Sequence, residues 1–213
     1  MYQRIQIISV AIAFALIASL ASADEADIEA GKQLNEESCA SCHGAAGVSE
    51  VPDWPSLAGQ HEGYVRYHLE LFRDEQRYDP QGLMTPEASG LSDADIENMA
   101  AFFANQDPPA AHEVDEELAK RGEEIYYSGI RDENVASCTG CHGPQGKGIV
   151  GARYPRVAGQ EKTYMVAAMQ GFQSGKRDSD RNSEMRDIAS RMSEADIEAV
   201  AAFMSSLGPA SDK

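Results

Sequence analysis

The sequence predicts an all-α fold made of two small domains in tandem. Three observations carry that expectation. A self-similar pattern runs along most of the 213-residue chain, its centres 99 positions apart, and such self-similarity marks a duplicated structural unit. Apolar residues in each copy fall at helical spacing, and no stretch shows convincing strand alternation. Each copy is centred on one pentapeptide, Cys39-Ala40-Ser41-Cys42-His43 and Cys138-Thr139-Gly140-Cys141-His142.

The pattern C-x-x-C-H is the attachment signature of c-type haem. Two intervening residues let both sulfurs reach the vinyl groups on one porphyrin edge. The next histidine is then held beneath the iron, where its imidazole serves as an axial ligand. The two copies use all 4 cysteines of the chain. A thioredoxin-like redox pair needs a βαβ setting, and none is visible. A four-cysteine zinc site is excluded by the 96 positions from Cys42 to Cys138, against about 15–20 in a zinc ribbon. Structural disulfides leave both histidines unexplained. The expected cofactors are two covalent haem c groups, on Cys39 with Cys42 and on Cys138 with Cys141. The fold expected is therefore a helical domain wrapped around each haem.

Taken in order, residues 1–23 read as a signal peptide. Arg4 precedes an apolar run from Ile5 to Leu20, and Ala21-Ser22-Ala23 forms an A-x-A cleavage site. The run is shorter than the ~20 apolar residues of a spanning helix. Export to the periplasm follows, with no transmembrane segment after cleavage and the protein free or loosely held at a membrane. Domain 1 is expected over 24–106, a linker with Pro108 and Pro109 over 107–115, and domain 2 over 116–213. An amphipathic helix opens each copy, from Asp24 to Asn35 and from Glu116 to Tyr127, with Gly31 and Gly122 on the apolar faces. Gly-rich loops follow the haem motifs and end in Pro55-Ser56-Leu57-Ala58-Gly59-Gln60 and Pro155-Arg156-Val157-Ala158-Gly159-Gln160. Helices are expected over about 60–76 and 160–174, then polar loops over 77–90 and 177–191. A last helix closes each copy, with Ser92 and Ser193 as N-caps and Asp95 and Asp196 completing capping boxes.

The net charge is −17, from 18 basic and 35 acidic residues. That argues against nucleic acid and against anionic membrane surfaces as partners. The charge is uneven: residues 24–111 hold 4 basic and 18 acidic residues, and residues 112–213 hold 13 and 17. One run, Lys147 to Arg191, carries nine basic against five acidic residues. It reads either as ordinary solvated surface or as a dock for an acidic partner.

The second axial ligand decides the function class. Met84 and Met185 each lie 8 positions before an N-cap serine, in polar loops. No other methionine aligns between the copies: Met99 faces Val200, and Met192 faces Leu91. A single methionine is commonly core filler, but two at matching places in polar loops are not explained that way. Histidine with methionine is the ligation of electron-carrying cytochromes c. It saturates the iron and leaves no position for oxygen or substrate, so an electron-transfer protein is expected and not an enzyme. His68 lies on a helical apolar face, but its counterpart is Ala168, which favours a structural role. His61 and His112 read as surface residues. No acid–base pair, nucleophile triad or phosphate loop stands out.

The order C-x-x-C-H, Pro-x-Leu/Val-Ala-Gly-Gln-x-x-x-Tyr, Phe-Arg-Asp-Glu-Gln-Arg or Phe-Gln-Ser-Gly-Lys-Arg, Met, then Leu/Met-Ser-x-Ala-Asp-Ile resembles cytochrome c4. The resemblance covers essentially all of the mature chain. It implies a periplasmic dihaem protein of two class I cytochrome c domains related by an approximate twofold, with haem propionates meeting at the interface. It further implies His43 and His142 as proximal ligands and Met84 and Met185 as distal ones. The carbonyls of Pro55 and Pro155 would accept the histidine Nδ1–H bonds. Copy one departs from the pattern in having a single methionine in Leu83-Met84-Thr85 and in being more acidic. Two roles follow as expectations. One is a shuttle from a quinol-oxidising complex to a terminal oxidase. The other is the electron-accepting subunit of a periplasmic dehydrogenase, such as flavocytochrome c sulfide dehydrogenase. A dihaem peroxidase is disfavoured by the short chain and by a methionine for both haems.

Overall fold

The computed structural model describes residues 26–209, and the expected signal peptide at residues 1–23 lies outside them. The first copy opens with α1 (Ile28–Leu34), which continues through a π-turn (Asn35–Cys39) into α2 (Ala40–His43). Asp27 starts this run. Its carboxylate accepts from the backbone N–H groups of Glu29 and Ala30 at 3.0 and 3.1 Å, satisfying donors that have no partner inside the helix. Then come α3 (Glu62–Arg73), α4 (Met84–Ala88) and α5 (Asp93–Ala104). The second copy repeats the order with α6 (Glu116–Ser128), α7 (Thr139–His142), α8 (Lys162–Gln173), α9 (Glu184–Ala189) and α10 (Glu194–Ser206). Among the described residues, β-pairing is limited to two isolated bridges, Ile130 with Val135 and Ile149 with Tyr154.

The architecture is all-α and tandem, as the repeat predicts. Two details differ from the sequence reading. Both polar loops contain a short helix, α4 and α9, of 5 and 6 residues. Helices that short cannot display a 3.6-residue period. The copies also differ in length ahead of the haem motif. Gly31 and Gly122 are 91 positions apart, but Cys39 and Cys138 are 99 apart. The extra residues form the loop between α6 and α7, where copy one runs straight from helix to helix.

Each domain is held by a crossing of its first and last helices. Gly31 of α1 sits on the Asn98 carbonyl of α5, and Gly122 of α6 sits on the Ala199 carbonyl of α10. A Cβ at either glycine would overlap that carbonyl oxygen, so only glycine lets the backbones touch. The closing helices start as expected. Ser92 Oγ accepts from Asp95 N at 3.2 Å while the Asp95 carboxylate accepts from Ser92 N at 2.9 Å, and Ser193 with Asp196 repeats the box. The buried apolar cluster of domain 1 is small: Val65, Met99, Ala100, Phe102 and Phe103. Domain 2 buries a larger set that includes Tyr126, Met165, Phe172, Ile197 and Phe203.

Candidate functional site

His43 closes α2 and His142 closes α7, and both are buried. Their Nδ1 atoms lie 2.8 Å from the Pro55 carbonyl and 3.0 Å from the Pro155 carbonyl. A carbonyl oxygen only accepts, so Nδ1 carries the proton and the Nε2 lone pair is left for a metal. Burial pushes both imidazoles below their ordinary pKa, with the proline carbonyl opposing. The rings are thus kept in the neutral form that can ligate.

Both histidines line one continuous cavity of about 1090 Å³, together with all four cysteines, Met84 and Met185. None of the four cysteines is paired in a disulfide, so all four are available to hold haem. The methionines enter the wall from α4 and α9, and an aspartate fixes each short helix. Asp79 accepts from Thr85 N at 2.9 Å, and Asp180 accepts from Arg186 N at 3.0 Å. Each bond seizes the residue directly after the methionine. Sequence reasoning missed these aspartates, although they stand 101 positions apart, as the methionines do.

The cavity suits two haems. Its volume exceeds the ~300–1,000 Å³ of a single small-molecule site, and Leu57, Val65, Phe72, Val157 and Phe172 give it apolar walls. Where the domains meet, Arg177 is buried and Arg77 half-buried, and the Nε atoms of both are buried without a partner. Neither has a carboxylate partner among the described residues. Cations held away from water without anions are costly, and haem propionates would supply the missing charge. His68 also faces this cavity. It is buried between Tyr64 and Tyr67, ring centroids 4.3 and 5.1 Å away, and its Nδ1 is unpartnered.

The two domains meet through exchanged contacts. Arg77 Nη2 donates to Tyr164 Oη at 3.3 Å, and Arg177 Nη2 donates to Tyr64 Oη at 3.2 Å. Gln60 and Gln160, which close the Ala-Gly-Gln segments, also reach across. Gln60 Oε1 accepts from Arg156 N and its Nε2 donates to Arg156 O, both at 2.9 Å. Gln160 does the same to Ser56 N and O, both at 2.8 Å. The doubled Gln was visible in sequence, but its partners lie about 100 positions away and only the interface reveals them.

One expectation is corrected here. His61 is not a surface residue: its Nε2 is buried and packs against Gly148 of domain 2. Part of the basic run is engaged within the protein. Arg177 is buried, Arg186 pairs with Asp180, Arg191 with Asp187, and Lys162 with Glu198. Lys147, Arg153, Lys176 and Arg181 remain exposed.

The family model for cytochrome c matches residues 28–107 and 119–208. The cytochrome c4 of Thiocapsa roseopersicina is 38% identical over 182 residues, 85% of this chain and 93% of that protein. The crystal structure of reduced recombinant cytochrome c4 from Pseudomonas stutzeri superposes with a TM-score of 0.78 at 34% identity, covering 86% of this chain and 100% of that one. A thiosulfate dehydrogenase electron acceptor from Stutzerimonas stutzeri is 35% identical over 80% of this chain and 79% of its own length. With two C-x-x-C-H motifs in two joined pockets, an all-α tandem fold and this likeness along nearly its full length, the chain belongs to the cytochrome c4 family of dihaem electron-transfer proteins.

Proposed function

We propose that this protein carries electrons through a periplasmic respiratory chain, from a quinol-oxidising complex to a terminal oxidase. The observation that supports it is the pairing, in each half of the cavity, of a buried neutral histidine with a methionine. When bound, each haem supplies an iron that holds or releases one electron. In this reading His43 and His142 would hold the irons through Nε2, and Met84 and Met185 would supply thioether donors. Pro55 and Pro155 fix the imidazole planes and raise their basicity. Cys39, Cys42, Cys138 and Cys141 would hold the two haems covalently. The thioether favours Fe(II) and raises the potential. The division into residues 24–106, 107–115 and 116–213, and a signal peptide at 1–23, belong to the same proposal. Among the described residues no helix is long and apolar enough to cross a membrane.

The ligands are tested with carbon monoxide. The reduced wild type should bind it slowly or not at all at neutral pH, while Met84→Ala opens one haem and Met185→Ala the other. Rapid, full binding by the wild type sinks the closed-site reading.

A second role is favoured by the likeness to a thiosulfate dehydrogenase electron acceptor: the protein receives electrons from a periplasmic dehydrogenase. Purification from native periplasm and membranes separates the two roles. Co-isolation with an oxidase supports the first, and co-isolation with a dehydrogenase supports the second.

A further inference from the structure

The exchanged glutamines act on one particular peptide group. The Pro55 carbonyl that accepts from His43 Nδ1 and the Ser56 N–H that donates to Gln160 Oε1 belong to the same amide. The Pro155 carbonyl that accepts from His142 and the Arg156 N–H that donates to Gln60 form the same unit. Each amide is therefore a relay with a histidine of its own domain on one side and a glutamine of the other domain on the other. The relay is buried: Ser56 is 3%, Gln60 6% and Gln160 8% exposed. Each glutamine is locked by its second bond, Nε2 to the carbonyl of the same residue it accepts from. Its Oε1 also takes the next backbone N–H of its own helix start, His61 or Glu161, at 3.0 Å. The acceptor is thus fixed in place in both domains.

Hydrogen bonds in series polarise one another, by about 10–30% per bond. An amide whose N–H is engaged has a more electron-rich carbonyl. That carbonyl pulls harder on the histidine Nδ1 proton and makes Nε2 a stronger donor to the metal it binds. A stronger nitrogen donor favours Fe(III). We propose that Gln60 and Gln160 are positioning residues for electron transfer, each lowering the reduction potential of the haem in the opposite domain. Gln160 acts on the first domain's haem through Ser56, Pro55 and His43. Gln60 acts on the second domain's haem through Arg156, Pro155 and His142. The device gives the two redox centres a through-bond link that needs no movement of the domains.

This inference rests on His43 and His142 being the axial histidines of the proposed function. The test uses the full dihaem protein and resolves its two one-electron steps by spectroelectrochemistry. Met84→Ala and Met185→Ala assign the steps, since each should abolish the sulfur–Fe(III) near-infrared band of one domain only. Should that assignment fail, the ligand reading falls, and Cys138→Ser with Cys141→Ser, which leaves only the first domain's haem, identifies the steps instead, so the two ideas fail separately. Gln160→Met keeps the side-chain length and removes the acceptor. It should favour reduction of the first domain's haem about three- to tenfold, below the ~10–100-fold typical of losing a direct second-layer partner, and leave the second within about twofold. Gln60→Met should do the reverse. An effect on the glutamine's own domain, an equal shift of both steps, or no shift would overturn the proposal, because a loosened interface has no reason to act crosswise. If a methionine variant does not take up two haems, Gln160→Glu decides. Its carboxylate is the stronger acceptor for Ser56 N–H and should move the first-domain step the opposite way; a shift in the same direction as removal, or confined to the second step, would refute the relay.

Discussion

At the scale of single residues, the same few carboxylates do most of the positioning. Burial pushes the Asp196 carboxyl up, yet the Ser193 hydroxyl, the Arg121 guanidinium and the Ser193 backbone N–H together hold it below the ordinary carboxylate value of 3.8. The first copy repeats the pattern with Asp95, which is held down by the Ser92 hydroxyl and backbone N–H. A carboxyl whose pKa is depressed by folding contributes stability above its unfolded pKa and loses it as pH falls through the folded one. Asp196→Asn should therefore lower the melting temperature at pH 7, and the gap to wild type should close as pH drops below 3.8. A gap that stays constant to acid pH would show that shape, not charge, matters at this cap. Ser193→Ala removes the other half of the box and should cost about 1 kcal/mol, measured by guanidinium unfolding of the dihaem protein. These caps were legible in the sequence because their partners lie three residues apart. Asp79 and Asp180 were not: they cap across a polar loop whose short helix has no periodic signature.

At the scale of the element, the crossings of α1 with α5 and of α6 with α10 fix where the haem motif begins. Gly122→Ala should shift the helices apart, since the added methyl meets the Ala199 carbonyl and the Phe203 side chain. Overpacking of this kind costs ~1–3 kcal/mol or more. Guanidinium unfolding of the second domain's haem signal measures it, and an unchanged midpoint would mean that the crossing is not tight in solution. Gly31→Ala should be worse for its domain, because the small cluster of Val65, Met99, Ala100, Phe102 and Phe103 has less core to absorb the shift. Both glycines could be read from the apolar face of an opening helix repeated in each copy. The paired methionines were readable for the same reason, because duplication turns an ambiguous residue into a matched pair. What duplication could not show was contact between the copies. The roles of Gln60, Gln160 and His61 exist only once the two halves face each other, and sequence periodicity carries no information on that pairing.

For the whole molecule, the charge map changes once side chains are assigned partners. From sequence, the run from Lys147 to Arg191 offered a basic dock on an acidic protein. Four of its nine cations are buried or paired within domain 2, and charges already neutralised nearby add little to a long-range field. The first domain keeps its excess of acids, and exposed Asp53 and Glu87 stand at the mouth of its half of the cavity beside exposed Leu83. Complementary charge speeds encounter, and salt screens it over a Debye length of about 10 Å at 0.1 M. Electron exchange with a cationic partner should therefore enter through the first domain. Stopped-flow reduction by a small cationic metal complex should be fast at low ionic strength and slow as salt is added. Asp53→Asn with Glu87→Gln should flatten that salt dependence and slow the low-salt rate severalfold. Lys176→Glu with Arg181→Glu should change it by less than about twofold, because those two cations flank the other haem. If the second pair of changes alters the salt slope as much as the first, the acidic first domain is not the port of entry, and the remaining exposed cations of domain 2 regain the docking role that the sequence alone suggested.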